Sequence, residues 1–288
     1  MTGPRFYPAL DITWPSAAAS DLVERVIAAV DEMSPTAVEE RPNGVRIFFS
    51  TPDERDRAQP VAARAATGAS TACVSVSDEA WAERSQADLR PVTVGRITIA
   101  PPWAVVPSTG WDSSPIVLTI QPSMGFGTGH HASTRLCLRL LQNEDLARRA
   151  VLDAGSGSGV LALAAWRLGA SQVTAIDYDP DAVSAARENF DRNGADHRLS
   201  LEVGDLTRVA ASLRGRFDLV LANLTGAMLT RFAYELVGCL RAEGALIASG
   251  FQTAEVPELV TAFQAAGTGV TATIEEDTWV ALRAVRQP

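Results

Sequence analysis

Hydrophobic residues change their spacing along this chain, and beyond residue 150 short apolar runs alternate with segments of helical period. The apolar runs predict five strands, at residues 151–154, 172–176, 199–203, 217–222 and 245–249. Apolar residues three and four positions apart predict the intervening helices, at residues 160–168, 180–192, 225–240 and 256–265. Two last apolar segments, 270–274 and 279–285, predict a closing antiparallel hairpin. This alternation is typical of an α/β fold, in which helices cover both faces of a mostly parallel sheet.

The helix after residue 179 has the clearest local signal. Asp179 is a favourable N-cap and Pro180 suits the first helical turn. The apolar residues Val183, Ala186 and Phe190 lie on one side of this helix and predict its buried face.

Residues 1–76 differ in character from the rest and contain no ligand-binding motif. Their pattern predicts two helices and two strands, at residues 21–30, 53–66, 45–49 and 72–76. These elements would form a small α+β domain.

A predicted helix at residues 77–89 follows the small domain, so we interpret residues 77–92 as a linker. Residues 93–288 would then form the larger domain, beginning with short strands at 97–100 and 116–120.

Composition limits the classes of function. A chain of 288 residues with 47% hydrophobic residues suffices for a packed core, and its length favours one larger and one smaller domain. The net charge of −9 and the pI near 4.9 argue against binding to a nucleic-acid backbone, whereas a basic protein would suit this surface. An acidic surface that only keeps an enzyme soluble explains the charge equally well.

Targeting and metal signals are not visible in the sequence. Residues 1–21 lack a basic stretch followed by an apolar run, and no apolar run approaches membrane-spanning length. We therefore expect a cytoplasmic protein, and a monomer by default. The three cysteines are scattered and predict reduced, mostly buried thiols, and the three histidines lack metal-ligand spacing, so no metal is expected.

Three alternating glycines, Gly155, Gly157 and Gly159, follow the strand at 151–154. Glycines let a chain turn tightly and approach a ligand without Cβ clashes, and Gly159 would let the next helix pack closely. Asp177 ends the next strand, where a carboxylate is expected to bind ribose hydroxyls. The pattern predicts a site for a nucleotide-like cofactor, and S-adenosylmethionine is the expected one.

A dinucleotide fingerprint is the main alternative for these glycines. Its third glycine would fall at position 160, which is Val160, and the glycine comes one residue earlier. Glycines that only shape a turn are the second alternative, although the acid after the next strand favours a ligand site.

The carboxyl ends of the strands carry further candidates, because ligands bind there in sheets of this kind. The residues at those ends are Asp153, Gly155, Asp177, Asp205 and Asn223. Asp205 is a candidate partner for an adenine amino group, and a turn-forming aspartate after Gly204 explains it equally well.

A longer constellation resembles the bacterial ribosomal-protein methyltransferase family PrmA. It comprises the segment MGFGTGHHAST at residues 124–134, the glycine motif, and then Ala222-Asn223-Leu224. The likeness covers roughly residues 78–288, including a tryptophan-containing strand at Trp279. Ser133 stands where the family commonly has a threonine, and the first domain shows only a general likeness to the family's ferredoxin-like substrate-recognition domain.

The resemblance implies a Rossmann-like class I methyltransferase domain at residues 93–288. The family uses S-adenosyl-L-methionine to methylate lysine side-chain and N-terminal amines of large-subunit ribosomal protein L11, a basic partner, without a direct nucleic-acid or membrane partner. Cofactor contacts are implied for Thr134, Gly155, Asp177 and Asn223. A methyltransferase of the same fold for another amine, and a noncatalytic cofactor-binding protein, are the alternatives.

For the transfer itself, we expect the Asn223 side chain and the backbone carbonyl beside Leu224 to orient the amine. Phe126, Leu224 and Trp279 would form an apolar channel, although core packing explains Trp279 equally well. The glycine-rich loop around Phe126 is expected to be a mobile lid, and His131 to order it through a hydrogen bond.

Overall fold

The computed structural model describes residues 6–15, 20–41, 43–77, 89–104, 116–122 and 130–288. The chain divides into two compact units, residues 1–89 and 90–288. The predicted linker helix falls mainly on residues 78–88, which lie outside the described residues, and Ser77 ends a strand. Within the described ranges, no helix is long and apolar enough to cross a membrane.

The described residues of the first unit form four strands and two α-helices. In chain order they are β1 (Phe6–Thr13), α1 (Ser20–Val30), β2 (Ala37–Arg41), β3 (Gly44–Phe48), α2 (Pro52–Ala65) and β4 (Ser70–Ser77). The strands pair antiparallel in the spatial order β2-β3-β1-β4. This arrangement is ferredoxin-like and confirms the predicted α+β class of the region.

Local sequence explains the core of this unit and the start of α2. Ile12 of β1, Ile47 of β3 and Val26 of α1 are at most 1% exposed, because alternate strand residues face the apolar side of the helices. α2 begins at a capping box, in which the Thr51 hydroxyl accepts from Glu54 N at 3.3 Å and Thr51 N donates to Glu54 Oε2 at 3.0 Å.

The sequence pattern missed β1 and β2. Pro8 lies inside β1 and has no N–H to donate, yet its carbonyl accepts from Phe49 N at 3.0 Å. β2 carries three charged residues, Glu39, Glu40 and Arg41, and it is an edge strand, where charge is tolerated.

The second unit begins with a three-stranded sheet of β5 (Val92–Val94), β6 (Ile97–Ala100) and β7 (Ile116–Thr119). The remaining elements are α3 (Ala132–Leu141), β8 (Ala150–Ala154), α4 (Val160–Arg167), β9 (Gln172–Asp177), α5 (Pro180–Arg192), β10 (Leu199–Val203), α6 (Leu206–Leu213), β11 (Phe217–Asn223), α7 (Gly226–Arg231), α8 (Ala233–Cys239), β12 (Leu240–Gln252), α9 (Val256–Ala265), β13 (Thr268–Glu276) and β14 (Trp279–Arg286).

The large sheet of this unit has seven strands in the order β10-β9-β8-β11-β12-β14-β13. The first five strands run parallel, and β14 pairs antiparallel with both β12 and β13. The chain moves outward from β8 to β10 and then returns to β11 on the other side of β8. The strand order therefore reverses between β8 and β11, and the carboxyl ends of these strands form the crevice where such folds bind ligands.

The predicted α/β fold class and the closing hairpin are confirmed, and the bounds of α9 agree with the prediction. One predicted helix is wrong in detail, because the segment before residue 240 forms two helices, α7 and α8. They separate at Phe232, whose backbone leaves the helical region at φ −103° and ψ 16°.

Candidate active site

The glycine-rich loop after β8 is fastened to the end of β9. The N–H groups of Gly155 and Ser156 both donate to the carbonyl of Ile176, at 2.9 and 3.0 Å. The N–H of Gly157 donates to Asp177 Oδ2 at 2.8 Å. The loop therefore has a fixed curve at the carboxyl end of the sheet, and three predicted cofactor residues lie together there.

Gly155 lies against Leu224 across the point where the strand order reverses. Its φ of +75° is in the left-handed region that favours glycine. A Cβ atom at this position would overlap Leu224 Cδ2. The structure thus brings together two predicted site residues that are far apart in sequence, and any side chain at position 155 would both displace Leu224 and strain the backbone.

Gly159 directly precedes α4, as predicted, but the close approach that it permits is to α5 and not to the preceding strand. A Cβ atom there would overlap the ring of Phe190 on α5. As the N-cap residue, Gly159 has no side chain to accept a helical N–H. Asp153 supplies that acceptor, because its Oδ2 accepts from Ala162 N at 2.9 Å.

Asp153 is 1% exposed. Burial raises the pKa of its carboxyl group to about 7, although the hydrogen bond from Ala162 N opposes the shift. Its second oxygen, Oδ1, is buried without a hydrogen-bond partner among the described residues, as is the hydroxyl of Ser156. The visible role of Asp153 is to cap α4, and its direct contact with a cofactor stays a prediction.

Asp177 holds the loop and the following turn with separate oxygens. Oδ2 accepts from Gly157 N at 2.8 Å, and Oδ1 accepts from Asp179 N at 3.1 Å. Burial raises the pKa of Asp177, and these backbone hydrogen bonds oppose the shift. Asp179 caps α5 through Asp181 N at 2.9 Å, as predicted, so Asp177 is not needed as the cap. The Asp177 carboxylate keeps capacity for a further donor, such as a ribose hydroxyl.

Asn223 and Thr134 form a direct contact. Asn223 ends β11, and its Nδ2 donates to Thr134 Oγ1 at 3.2 Å. Thr134 lies in the first turn of α3 and is 0% exposed. The contact joins two predicted site residues at the carboxyl edge of the sheet.

His131 caps α3 and contacts Trp279. Its Nδ1 accepts from Ser133 N at 3.3 Å, and its ring meets that of Trp279 edge-on with centroids 4.3 Å apart. Burial lowers the pKa of His131 to about 4, and the nearby positive charge of Arg135 adds to the shift. Trp279 is half-buried and packs against the main core, which agrees with the packing interpretation and leaves its role in a channel a prediction.

Gly250 is a site residue that the sequence reasoning missed. Leu224 N donates to the carbonyl of Ser249 at 3.0 Å, which brings the end of β11 against β12. Gly250 has φ +98°, and a Cβ atom there would overlap the Leu224 carbonyl and lie 3.1 Å from Asn223 Oδ1. A glycine directly after the apolar run of β12 was the available signal.

Asp205 has a visible local role. It caps α6, accepting from Thr207 N at 2.9 Å and from the Thr207 hydroxyl at 2.7 Å, and these bonds lower the pKa of its carboxyl group. A contact with adenine stays a prediction for this exposed residue. Nearby, the ends of β9 and β10 present apolar surface that the sequence reasoning did not single out, since Tyr178 and Val203 are 56% and 57% exposed.

Asn189 connects the glycine-rich loop with the segment that follows β7 and was also missed. This residue is 0% exposed, its Nδ2 donates to the Ser158 carbonyl at 3.0 Å, and its Oδ1 accepts from Gln121 N at 2.8 Å. Asn189 therefore holds the loop at Ser158, one residue after the Gly157 N–H that Asp177 accepts.

Other predictions concern residues outside the site or outside the described ranges. Phe126 and its glycine-rich loop lie in residues 123–129, outside the described residues. All three cysteines are free thiols; Cys137 and Cys239 are buried, and Cys73 is exposed. In the described part of the chain, no group of three or more His, Cys, Asp or Glu side chains could hold a metal ion.

Comparisons with known proteins point to one family. The family model described as Ribosomal protein L11 methyltransferase (PrmA) matches residues 22–287. The ribosomal protein L11 methyltransferase of Pelotomaculum thermopropionicum is 41% identical over 211 residues, which are 73% of this chain and 67% of that protein. That of Deinococcus radiodurans is 35% identical over 238 residues, covering 78% and 79%. A crystal structure of ribosomal protein L11 methylase from Lactobacillus delbrueckii subsp. bulgaricus has a TM-score of 0.61 at 25% identity, covering 69% of this chain and 99% of that one.

Proposed function

We propose a protein-amine methyltransferase function from one premise: this chain belongs to the ribosomal protein L11 methyltransferase (PrmA) family, whose cofactor is S-adenosyl-L-methionine. In this proposal, the enzyme transfers methyl groups to lysine side-chain and N-terminal amines of ribosomal protein L11. The observation that carries the proposal is the contact between Asn223 and Thr134 beside the Gly155 loop.

The residues at the crevice fit this cofactor. The backbone of Gly155 carries no side chain where the loop leaves β8, and Asp177 offers carboxylate oxygens at the end of the adjacent strand. Tyr178 and Val203 present exposed apolar surface next to Asp177, which suits a purine ring. Thr134 lies at the start of a helix, where an anionic carboxylate is favoured.

When bound, S-adenosyl-L-methionine supplies a methyl group on a positively charged sulfur, which a neutral amine can take by in-line displacement. The amine must first lose a proton, and a lysine has an ordinary pKa of about 10.4. An apolar channel lowers that pKa, because it disfavours the charged ammonium. We assign the channel to Leu224 and Trp279.

Asn223 and the Leu224 carbonyl orient the amine in this proposal. The Asn223 amide donates to Thr134, so its carbonyl oxygen is left to face the amine side near Gly250. Two acceptor oxygens, one from the side chain and one from the backbone, would hold amine hydrogens and direct the nitrogen lone pair. Positioning of this kind matters more here than acid–base catalysis.

The charge of the chain suits a basic protein substrate. Residues 1–89 carry 14 Asp and Glu against 8 Arg, so most of the net charge of −9 lies in the first unit. We propose that this unit recognises the ribosomal protein, that the enzyme acts as a monomer in the cytoplasm, and that it makes no direct contact with nucleic acid.

The test uses methyl-labelled S-adenosyl-L-methionine, the purified full chain and ribosomal protein L11 of the same organism, with labelled sites mapped by mass spectrometry. Labelled lysine or N-terminal amines are the expected result. The Asn223→Ala variant should lose most turnover. Full turnover in that variant would contradict the proposal that Asn223 orients the amine. An unlabelled L11 alongside a cofactor-binding enzyme would point to another amine substrate.

A further inference from the structure

Glu276, the last residue of β13, binds two arginines of α3. Arg135 Nε and Nη2 lie 2.8 and 2.5 Å from Glu276 Oε1, and Arg139 Nη2 lies 2.8 Å from Oε2. The side chains of Glu276 and Arg135 are only 21% and 22% exposed. Solvent therefore screens this contact less than an ion pair on the open surface.

Glu276 supplies a negative charge that the first turn of α3 lacks. No acidic residue lies in the first turn of α3. Arg135 and Arg139 are four positions apart on one helix face, where like charges repel, and a cation near a helix N-terminus is unfavourable. Glu276 offsets both effects from a different part of the fold.

Arg135 also binds the backbone just before the start of α3. Its Nη1 donates to the carbonyl of His130, which directly precedes the N-cap residue His131. His131 in turn lies edge-on to Trp279, at the start of β14. The β13–β14 hairpin therefore contacts the start of α3 at two points, one ionic and one aromatic.

These contacts between α3 and the hairpin lie next to the hydrogen bond that joins Thr134 and Asn223. Thr134 is the neighbour of Arg135, and its hydroxyl accepts the hydrogen bond from Asn223. Any displacement of the start of α3 relative to the hairpin would move the Thr134 hydroxyl against the Asn223 amide.

We propose that Glu276 is a positioning residue for methyl transfer: by holding Arg135 it fixes the start of α3 and so places Thr134 beside Asn223. This inference rests on the proposed function and extends it to a residue that contacts neither the amine nor the cofactor.

A second ion pair provides a matched control. Arg283 Nε and Nη2 lie 2.5 and 3.3 Å from the two carboxylate oxygens of Glu144. Arg283 is on β14, and Glu144 follows the end of α3. This pair therefore joins α3 and the hairpin as the first does, but at the far end of the helix from Thr134.

The experiment compares the full-length Glu276→Gln and Glu144→Gln variants, since glutamine keeps the shape of the side chain and removes its charge. Thermal melting, calorimetric binding of S-adenosylhomocysteine, and kcat and KM with L11 are measured for each. We expect both variants to melt at lower temperature. Only Glu276→Gln should weaken binding of S-adenosylhomocysteine and lower kcat/KM, by on the order of tenfold to a hundredfold.

Equal binding and equal kcat/KM in the two variants would overturn the proposal and leave Glu276 a purely structural residue. If Glu276→Gln does not fold, Arg135→Lys replaces it, because lysine keeps the charge but lacks the guanidinium nitrogens that bind Glu276 and the His130 carbonyl separately. Wild-type binding in Arg135→Lys would then overturn the proposal. A wild-type enzyme that binds S-adenosylhomocysteine without labelling L11 contradicts the proposed function alone, because the binding comparison does not involve L11.

Discussion

The side-chain amide of Asn223 donates a hydrogen bond of 3.2 Å to the hydroxyl of Thr134, although 89 positions separate the two residues. Thr134 is 0% exposed, so water cannot readily replace either partner. The bond connects the strand end that we assign to the amine with the helix start that we assign to the cofactor. A change to one residue should therefore affect how the other works.

Thr134→Val should lower kcat/KM by roughly tenfold to a hundredfold, since it leaves the Asn223 N–H without its acceptor while nearly keeping the side-chain shape. Thr134→Ser is the matched control, because it keeps the hydroxyl and should retain most activity. Steady-state kinetics of both variants with L11 gives the comparison. Equal losses in the two variants would mean that packing, and not the hydrogen bond, is what matters at this position.

Gly155→Ala should abolish most cofactor binding, because the new Cβ would overlap Leu224 in addition to straining a φ of +75°. Gly169→Ala separates these effects, since Gly169 has φ +101° and open space around its Cβ position. It should lower stability by about 1 kcal/mol and leave binding of S-adenosylhomocysteine unchanged. Calorimetry and denaturant unfolding of both variants test this; equal binding by both would rule out a role for the close approach to Leu224.

Asp177→Asn should weaken binding of S-adenosylhomocysteine, because an amide loses one acceptor oxygen and the charge that favours ribose hydroxyls. Asp179, two positions on, caps α5 through Asp181 N. Asp179→Asn keeps a good N-cap and should bind as the wild type does. Isothermal calorimetry decides between them, and matching affinities would remove Asp177 from the set of cofactor residues.

Local chemistry accounts for the parts of the fold that the sequence predicts well. Asp179 and Pro180 start α5 by rules that involve only neighbouring residues, and Asp179 indeed caps it. The same rules give the wrong result for β1, because a proline such as Pro8 is unfavourable inside a strand. β1 forms nevertheless, since it pairs with β3 on one side and with β4 on the other. The local rules are also too weak to place the break at Phe232, which depends on how α7 and α8 pack.

The site residues also divide into those that the local sequence indicates and those that depend on contacts across the fold. Glycines and an acid at strand ends indicate Gly155 and Asp177, because the motif itself carries the chemistry. Gly250 and Glu276 give no such signal, since their importance depends on a close approach to Leu224 and on a pairing with Arg135 across the fold. Such contacts exist only after the chain has folded, so a single sequence does not reveal them.

His131 should make the stability of the protein depend on pH. Its folded-state pKa is lowered to about 4, mainly by burial, and its Nδ1 accepts from Ser133 N only when the ring is neutral. The ordinary pKa is 6.5. Between these values the unfolded chain binds a proton that the folded protein does not bind, so stability falls as pH decreases from 6.5 toward 4 and is unaffected by this group above 6.5.

The His131→Asn variant isolates this effect, because asparagine is a good N-cap and does not titrate. Urea unfolding of both proteins at about pH 7.5 and pH 5 should show the wild type losing about 2 kcal/mol more than the variant. At the higher pH the variant is expected to be the less stable of the two, since it loses the edge contact with Trp279. A difference between the two proteins that stays constant with pH would show that His131 is protonated as readily in the folded as in the unfolded state.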